Sequence, residues 1–216
     1  MNVVVSWSSG KDSALSLLRL REDGRYRVAG LCTTHVDGWV PFQNVPLAAV
    51  EQQAARLGLP LAAIALPQVF PPNAVYQRLV VDGLRANGLA IDAVAFGDMF
   101  HNGIADYRRG YIEPAGWQCV FPLLGEPPAA LAAEVLSRGI RTRVITVDTT
   151  QLDGSHCGAW YDAAFVAGLP PGVDPCGENG EFHTLVADMP GFAAPLSLLP
   201  GDEVDRSGRF HALRWK

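Results

Sequence analysis

The chain has 216 residues, enough for one large domain or one domain with a small appendage, and long enough to bury a real core. Half of it is apolar and only 18% is charged, with no low-complexity tract, which argues for a compact protein and against a disordered one. The net charge of −5 supplies no electrostatic footprint for gripping a polyanion, so bulk nucleic-acid binding is disfavoured.

The β-branched run Asn2 to Trp7 opens the chain, a polar turn follows, and Ala14, Leu15, Leu17 and Leu18 then recur with helical spacing: strand, loop, helix. Tyr26 to Thr34 reads as the second strand. Val45 to Leu57 reads as a helix with Val50, Ala54 and Leu57 on one face. Leu61 to Leu66, Ala90 to Phe96, Gln118 to Phe121 and Arg141 to Val147 are further apolar runs, separated by helical stretches such as Ala74 to Ala86 and Ala129 to Ser137. Six strands thus alternate with helices. Their near-continuous apolarity is the habit of strands covered on both faces, and the expected fold is α/β: a doubly wound, mostly parallel sheet.

After Val147 the rhythm changes. Gly and Pro become dense through Gly168 to Gly180, a helix is expected near Ala159 to Val166, and Phe182 to Ala187 reads as a strand before a turn-rich tail. The expected division is a nucleotide-binding domain over 1–147 and a smaller C-terminal lobe over 148–216. Cys32, Cys119, Cys157 and Cys176 show no CxxC spacing, so neither a zinc ribbon nor a redox pair is written here. A set drawn from His156, Cys157, Cys176 and His183 matches no familiar zinc pattern. With no signal segment before the first strand and no apolar run of eighteen residues, the sequence predicts a cytoplasmic protein with reduced thiols and no membrane partner. It leaves homo-oligomerisation open.

Ligands of open α/β sheets bind at the carboxyl ends of strands, where loops lead into helix N-termini. Ser8 to Ser13, SSGKDS, is such a loop. Its hydroxyls and amides suit phosphate oxygens, Gly10 allows close backbone approach, Lys11 supplies countercharge, and the next helix adds the positive end of its dipole. The GxxxxGK[ST] pattern is absent, since Asp12 follows the lysine, and no GxGxxG is present to support hydride chemistry. The plain alternative is a polar turn in which Ser8 or Ser9 caps a helix.

Asp174 to Thr184, DPCGENGEFHT, gathers carboxylates, an amide, an imidazole and a hydroxyl among glycines. Glu178 and Glu181 suit proton transfer, amine binding or magnesium, and His183 suits acid–base work. Any one of them alone would read as a solvated hairpin residue. As a cluster they read as a site.

SSGKDS resembles the pyrophosphate loop of the N-type ATP pyrophosphatases, usually SGGKDS, with serine at position 9 where glycine is usual. Together with GENGEFHT it is similar to the diphthine–ammonia ligase family, over nearly the whole chain. TTHVDG, FGDMF at Phe96 to Phe100 and VFPLLG at Val120 to Gly125 lie where that family has its equivalents. Archaeal and eukaryotic relatives usually carry GEGGE, so GENGEFHT resembles the bacterial branch.

The resemblance implies an adenine nucleotide alpha hydrolase-like fold and an ATP pyrophosphatase that adenylates a carboxylate and passes it to ammonia. The acceptor would be a small molecule or a protein-borne carboxylate. By that implication Ser8, Ser9, Gly10, Lys11 and Ser13 hold the β and γ phosphates, and Asp12 orients the loop or Mg2+. Thr33, Thr34, Gly97 and Asp98 complete the ATP pocket. Asp106, Arg108 and Arg109 meet substrate or pyrophosphate. Glu178, Asn179, Glu181, His183 and Thr184 line the acceptor side, with Lys11, Asp12, Glu178, Glu181 and His183 as the catalytic set and Glu181 or His183 as the base.

Two rival readings remain. One is an enzyme with the same loop that adenylates a tRNA base, which an acidic chain without a CxxC pair does not favour. The other is a non-catalytic ATP or AMP sensor, which leaves the carboxylate and histidine cluster unexplained.

Overall fold

The computed structural model describes residues 1–215. In chain order the first part comprises β1 (Asn2–Ser6), α1 (Lys11–Glu22), β2 (Arg27–His35), β3 (Trp39–Val40), β4 (Val45–Pro46), α2 (Leu47–Leu57), β5 (Leu61–Ala65), α3 (Asn73–Ala86), β6 (Ala93–Ala95), α4 (Ile104–Ile112), β7 (Gln118–Val120) and α5 (Pro128–Ser137). The second comprises β8 (Arg141–Asp148), α6 (Ala163–Ala167), β9 (Phe182–Asp188), β10 (Val204–Asp205) and β11 (Phe210–Leu213).

Five strands form a parallel sheet in the order β5-β2-β1-β6-β7. Alternation along β1 explains its two covered faces: Val3 and Val5 enter one apolar cluster with α1, α2 and α5, whereas Val4 enters another with Val80 and Leu84 of α3 and Ile112 of α4. The chain runs outward from β1 through β2 to β5, then returns to the other side of β1 for β6 and β7. The strand order therefore reverses at β1, and the crevice at its carboxyl end is where such a sheet accepts a ligand.

Local chemistry sets the helices. In α1, Asp12 lies in the first turn and Arg19 and Arg21 in the last, each matching the helix dipole. Gly58, at φ 65, ends α2 by turning its N–H back to Ala54 and Ala55. The α2 start differs from expectation, because Val45 and Pro46 pair with Trp39 and Val40 as a small hairpin before the helix begins. Asp162 caps α6 through the Phe165 N–H, so that helix begins at Ala163 rather than near Ala159.

The sixth expected parallel strand belongs elsewhere. β8 lies in a four-stranded antiparallel sheet, β10-β11-β8-β9, paired with β9 on one side and β11 on the other. A strand buried on both faces carries the same apolar run in either kind of sheet, so the run itself did not distinguish them. The expected division at 147/148 would separate β8 from its partners. One core cluster also spans both sheets, with Val3 and Val5 of β1 joined to Val144 and Val147 of β8 and to Leu185 of β9. Among the described residues no helix is long and apolar enough to cross a membrane.

Candidate active site

The turn after β1 is built on a left-handed serine. Ser9 has φ 75, and it is fully buried. A serine at that φ is strained, and the family pattern's glycine would not be. The turn persists because its backbone is tied on two sides: the Ser9 carbonyl accepts the Val186 N–H of β9 at 2.9 Å and the Gln53 amide of α2 at 3.2 Å. Gln53 is itself fully buried, accepts the Trp7 indole N–H at 2.8 Å and donates to the Val186 carbonyl at 2.8 Å. Sequence reading missed Gln53. The signal was an amide on the α2 face that otherwise buries Ala49, Val50, Ala54 and Leu57.

Gly10 brings this turn against β9. A Cβ at Gly10 would lie 3.1 Å from the Thr184 carbonyl oxygen and 3.2 Å from its hydroxyl. The Thr184 hydroxyl accepts the Lys11 backbone N–H at 3.2 Å, and the Ser13 hydroxyl donates to the Gly10 carbonyl at 2.9 Å. The N-terminal loop and the C-terminal motif are thus two walls of one cavity of about 250 Å³, lined by residues that include Ser8, Gly10, Asp12, Ser13, Glu178 and His183.

Lys11 crosses between those walls. Its ammonium is buried, pairs with Asp12 at 2.8 Å, donates to the Cys176 carbonyl and lies 5.8 Å from the ring centres of Tyr161 and Phe182. Burial alone would lower its pKa, but Asp12 and the neighbouring anionic groups outweigh it and raise it above the ordinary lysine value. Lys11 is therefore a fixed cation at the cavity wall.

The two glutamates of the motif differ. Burial, reinforced by repulsion from Asp12, pushes Glu178 up to about 7, despite the opposing pull of Lys11. It lines the cavity as a carboxyl that titrates near neutrality. Glu181 is buried away from that lining. Its Oε1 accepts the Asp174 N–H at 3.0 Å and the Asn179 amide at 3.1 Å, and its Oε2 accepts the Asn179 N–H at 3.0 Å. Among the cavity's neighbours, Glu181, one of the two expected bases, has its oxygens engaged in closing the 174–181 loop. Asn179 takes part in the same closure and also lines a larger neighbouring cavity. His183 does line the cavity, and burial, followed by repulsion from Lys11, lowers its pKa and keeps the imidazole neutral.

At the β2 end, Thr33 and Thr34 line an adjoining cavity of about 240 Å³ together with Ile64, Tyr76 and Phe96. Gly97 packs on the loop so closely that a Cβ there would meet the Asp12 carbonyl carbon at 3.3 Å. Arg108 lines both cavities. Its guanidinium lies 4.8 Å from the Phe96 ring centre, donates to Asp98 at 3.3 Å and reaches the Tyr76 and Tyr111 hydroxyls at 3.4 Å. Asp106 and Arg109, expected to meet substrate or pyrophosphate, lie outside the linings of both cavities. They pair with each other at 3.2 Å on the outer face of α4, because positions three apart share one helix face and Arg108 occupies another.

The donor set fits a polyphosphate. The Asp12 and Ser13 N–H groups in the first turn of α1 lack intrahelical acceptors, and the hydroxyls of Ser8 and Ser13 and the Lys11 cation stand beside them. It also fits magnesium held partly by phosphate, since the carboxylates of Asp12 and Asp98 line the cavity. Among the described residues no three His, Cys, Asp or Glu side chains gather into a metal site made by protein alone.

Fold and cleft together define a doubly wound α/β protein whose switch-point cleft is closed by a second, antiparallel sheet. Residues 127–209 match the model of the diphthamide synthase C-terminal domain, a stretch that holds α5, β8, β9 and the 174–184 motif. That match relates this part of the chain to diphthamide synthase. A crystal structure of a predicted subunit of tRNA methyltransferase from Methanocaldococcus jannaschii is similar in fold, with a TM-score of 0.50 and 18% identity, covering 88% of this chain and 98% of that one. No curated protein matches the chain.

Proposed function

We propose that the protein is an ATP pyrophosphatase that adenylates an acceptor carboxylate, releases pyrophosphate and passes the activated acyl group to ammonia. The observation that carries this reading is the shared cavity in which the left-handed Ser9 turn and Lys11 face Glu178 and His183. ATP, when bound, supplies an electrophilic α phosphorus and a pyrophosphate leaving group, with magnesium offsetting charge. Ser8, Ser13 and the α1 amides would hold the terminal phosphates, Asp12 and Asp98 would hold the metal, and Thr33 and Thr34 would lie on the base and ribose side. Lys11 and Arg108 stand where negative charge develops on the leaving group.

Ammonia attacks as a neutral nucleophile and must lose a proton as the amide forms. His183, held neutral by burial and by Lys11, accepts it, and Glu178 is the second group able to exchange protons near neutral pH.

The test is incubation with labelled ATP, magnesium, ammonium and fractionated small carboxylic acids, followed by detection of AMP and pyrophosphate. Acceptor-dependent production of both supports the proposal. ADP with phosphate, or AMP formation indifferent to every acceptor and to ammonium, refutes it.

A further inference from the structure

We propose that the cavity beside the nucleotide cleft, bounded by the β3–β4 hairpin and the second sheet, is the acceptor pocket, and that it takes a small carboxylic acid borne on a flat aromatic ring. The assignment rests on the carboxylate-activating reading above and names its substrate class.

The cavity measures about 1010 Å³ and lies between the β3–β4 hairpin, the second sheet and the C-terminal tail. His183 and Gly180 line both this cavity and the one that contains the SSGKDS loop. A carboxylate entering from the large cavity therefore arrives at the phosphate side past the group assigned as base. Thr146 stands opposite His183 in the β8–β9 register, on the same sheet face. Its hydroxyl is buried and has no hydrogen-bond partner among the described residues, although Thr146 is part of the cavity wall.

The far end is aromatic. Trp39, Phe42, Phe210 and Trp215 surround it, and the first three remain 43%, 57% and 50% exposed. One exposed aromatic needs no explanation, but three exposed and one half-buried in the lining of one cavity form a stacking surface. The Trp215 indole N–H donates to the Asn44 carbonyl at 2.7 Å, which fixes the tail to the hairpin and holds that surface in shape.

The charges of the cavity are already matched within the protein. Arg209 pairs with Asp148, and Arg214 pairs with Glu203 at 2.8 Å and Asp205 at 3.7 Å. Among the described residues the lining leaves no unmatched cation cluster for a polyanion, which favours a monocarboxylate over a nucleic-acid acceptor. The volume also matches the upper end of small-ligand pockets, roughly 300–1,000 Å³.

The experiment is calorimetric titration of the full chain with 2-naphthylacetate and with cyclohexylacetate, which carries the same carboxylate on a ring that cannot stack. We expect saturable one-to-one binding of 2-naphthylacetate, about fivefold weaker binding of cyclohexylacetate, and about fivefold weaker binding of 2-naphthylacetate by Phe210→Ala or Trp39→Ala. Both replaced side chains are about half exposed, so two independent variants guard against a folding failure. Absence of saturable binding, equal affinity for the two acids, or affinity unchanged in both variants overturns the proposal.

A non-hydrolysable ATP analogue is titrated in parallel. Loss of nucleotide binding with the naphthyl acid still bound defeats the catalytic reading and leaves the pocket. The reverse result defeats the pocket alone.

Discussion

Lys11 donates its backbone N–H to the Thr184 hydroxyl at 3.2 Å, a single bond that joins the first turn of α1 to β9 across 173 positions of sequence. The shape of the loop after β1 is consequently set by the second sheet as much as by β1. Substitutions at either end of this junction should alter the other.

Ser9 offers the simplest test of the loop. A non-glycine residue at φ 75 costs about 1–2 kcal/mol, and glycine there returns part of that gain through its freer unfolded chain. The Ser9 hydroxyl is also buried without a partner among the described residues, so its removal strands nothing. Ser9→Gly should raise stability by about 1 kcal/mol, or Tm by roughly 2–4 °C, whereas Ser9→Val should lower both. Thermal unfolding followed by circular dichroism measures it, and a lower Tm for Ser9→Gly would contradict the assigned strain.

Gln53 links three elements that meet behind the loop. Replacing it with leucine removes an acceptor from the Trp7 indole and a donor from the Ser9 and Val186 carbonyls, all of which stay buried. The expected loss is about 3 kcal/mol in urea unfolding, because stranded partners cost more than the bonds themselves return. Nucleotide affinity should fall in parallel. A Gln53→Leu protein as stable as the parent would mean that water or a shifted side chain replaces the amide.

Much of this was legible in the sequence. The apolar runs gave the strands of the parallel sheet, and the serine-rich turn after the first strand marked the switch-point crevice before any coordinates. The sheet membership of β8 was not legible, since burial on both faces produces the same Val-Ile-Val run in parallel and antiparallel settings. Nor was the division of labour between Glu178 and Glu181. Residue type fixes what a carboxylate is able to do, but only the 174–181 loop closure shows that one of them has its oxygens occupied by backbone and Asn179.

Glu178 carries a pH signature. Its carboxyl is raised from 4.5 to about 7 by burial first and Asp12 second, so between those values the folded state holds a proton that the unfolded chain has released. Stability from this group is present below about 4.5 and is lost as pH rises towards 7, a decline on the order of 2 kcal/mol. The lowered His183 acts oppositely, favouring the fold as pH rises to the ordinary histidine value. The informative quantity is therefore the difference between Glu178→Gln and parent. It should be near zero at pH 5 and favour the variant by about 2 kcal/mol at pH 8, read by urea unfolding at each pH. A difference that does not change with pH would place Glu178 in water rather than in the cleft.

Glu181→Gln separates a structural carboxylate from a chemical one. A glutamine presents one NH2 group to the loop, so either the Asn179 N–H or the pair formed by the Asp174 N–H and Asn179 amide would face a donor instead of an acceptor. The buried site offers little water to repair the mismatch. Stability should fall by about 1–3 kcal/mol, with turnover declining in proportion to the loss of ordered loop. Lys11→Ala provides the contrast, since removal of charge at the leaving group should slow AMP formation on the order of a hundredfold or more while nucleotide binding falls less. Unfolding curves and AMP release are measured on both proteins. If Glu181→Gln kept the parental unfolding midpoint yet lost ATP-dependent amidation, its carboxylate would be reaching the acceptor directly, and the loop-closing role assigned from its three hydrogen bonds would fail.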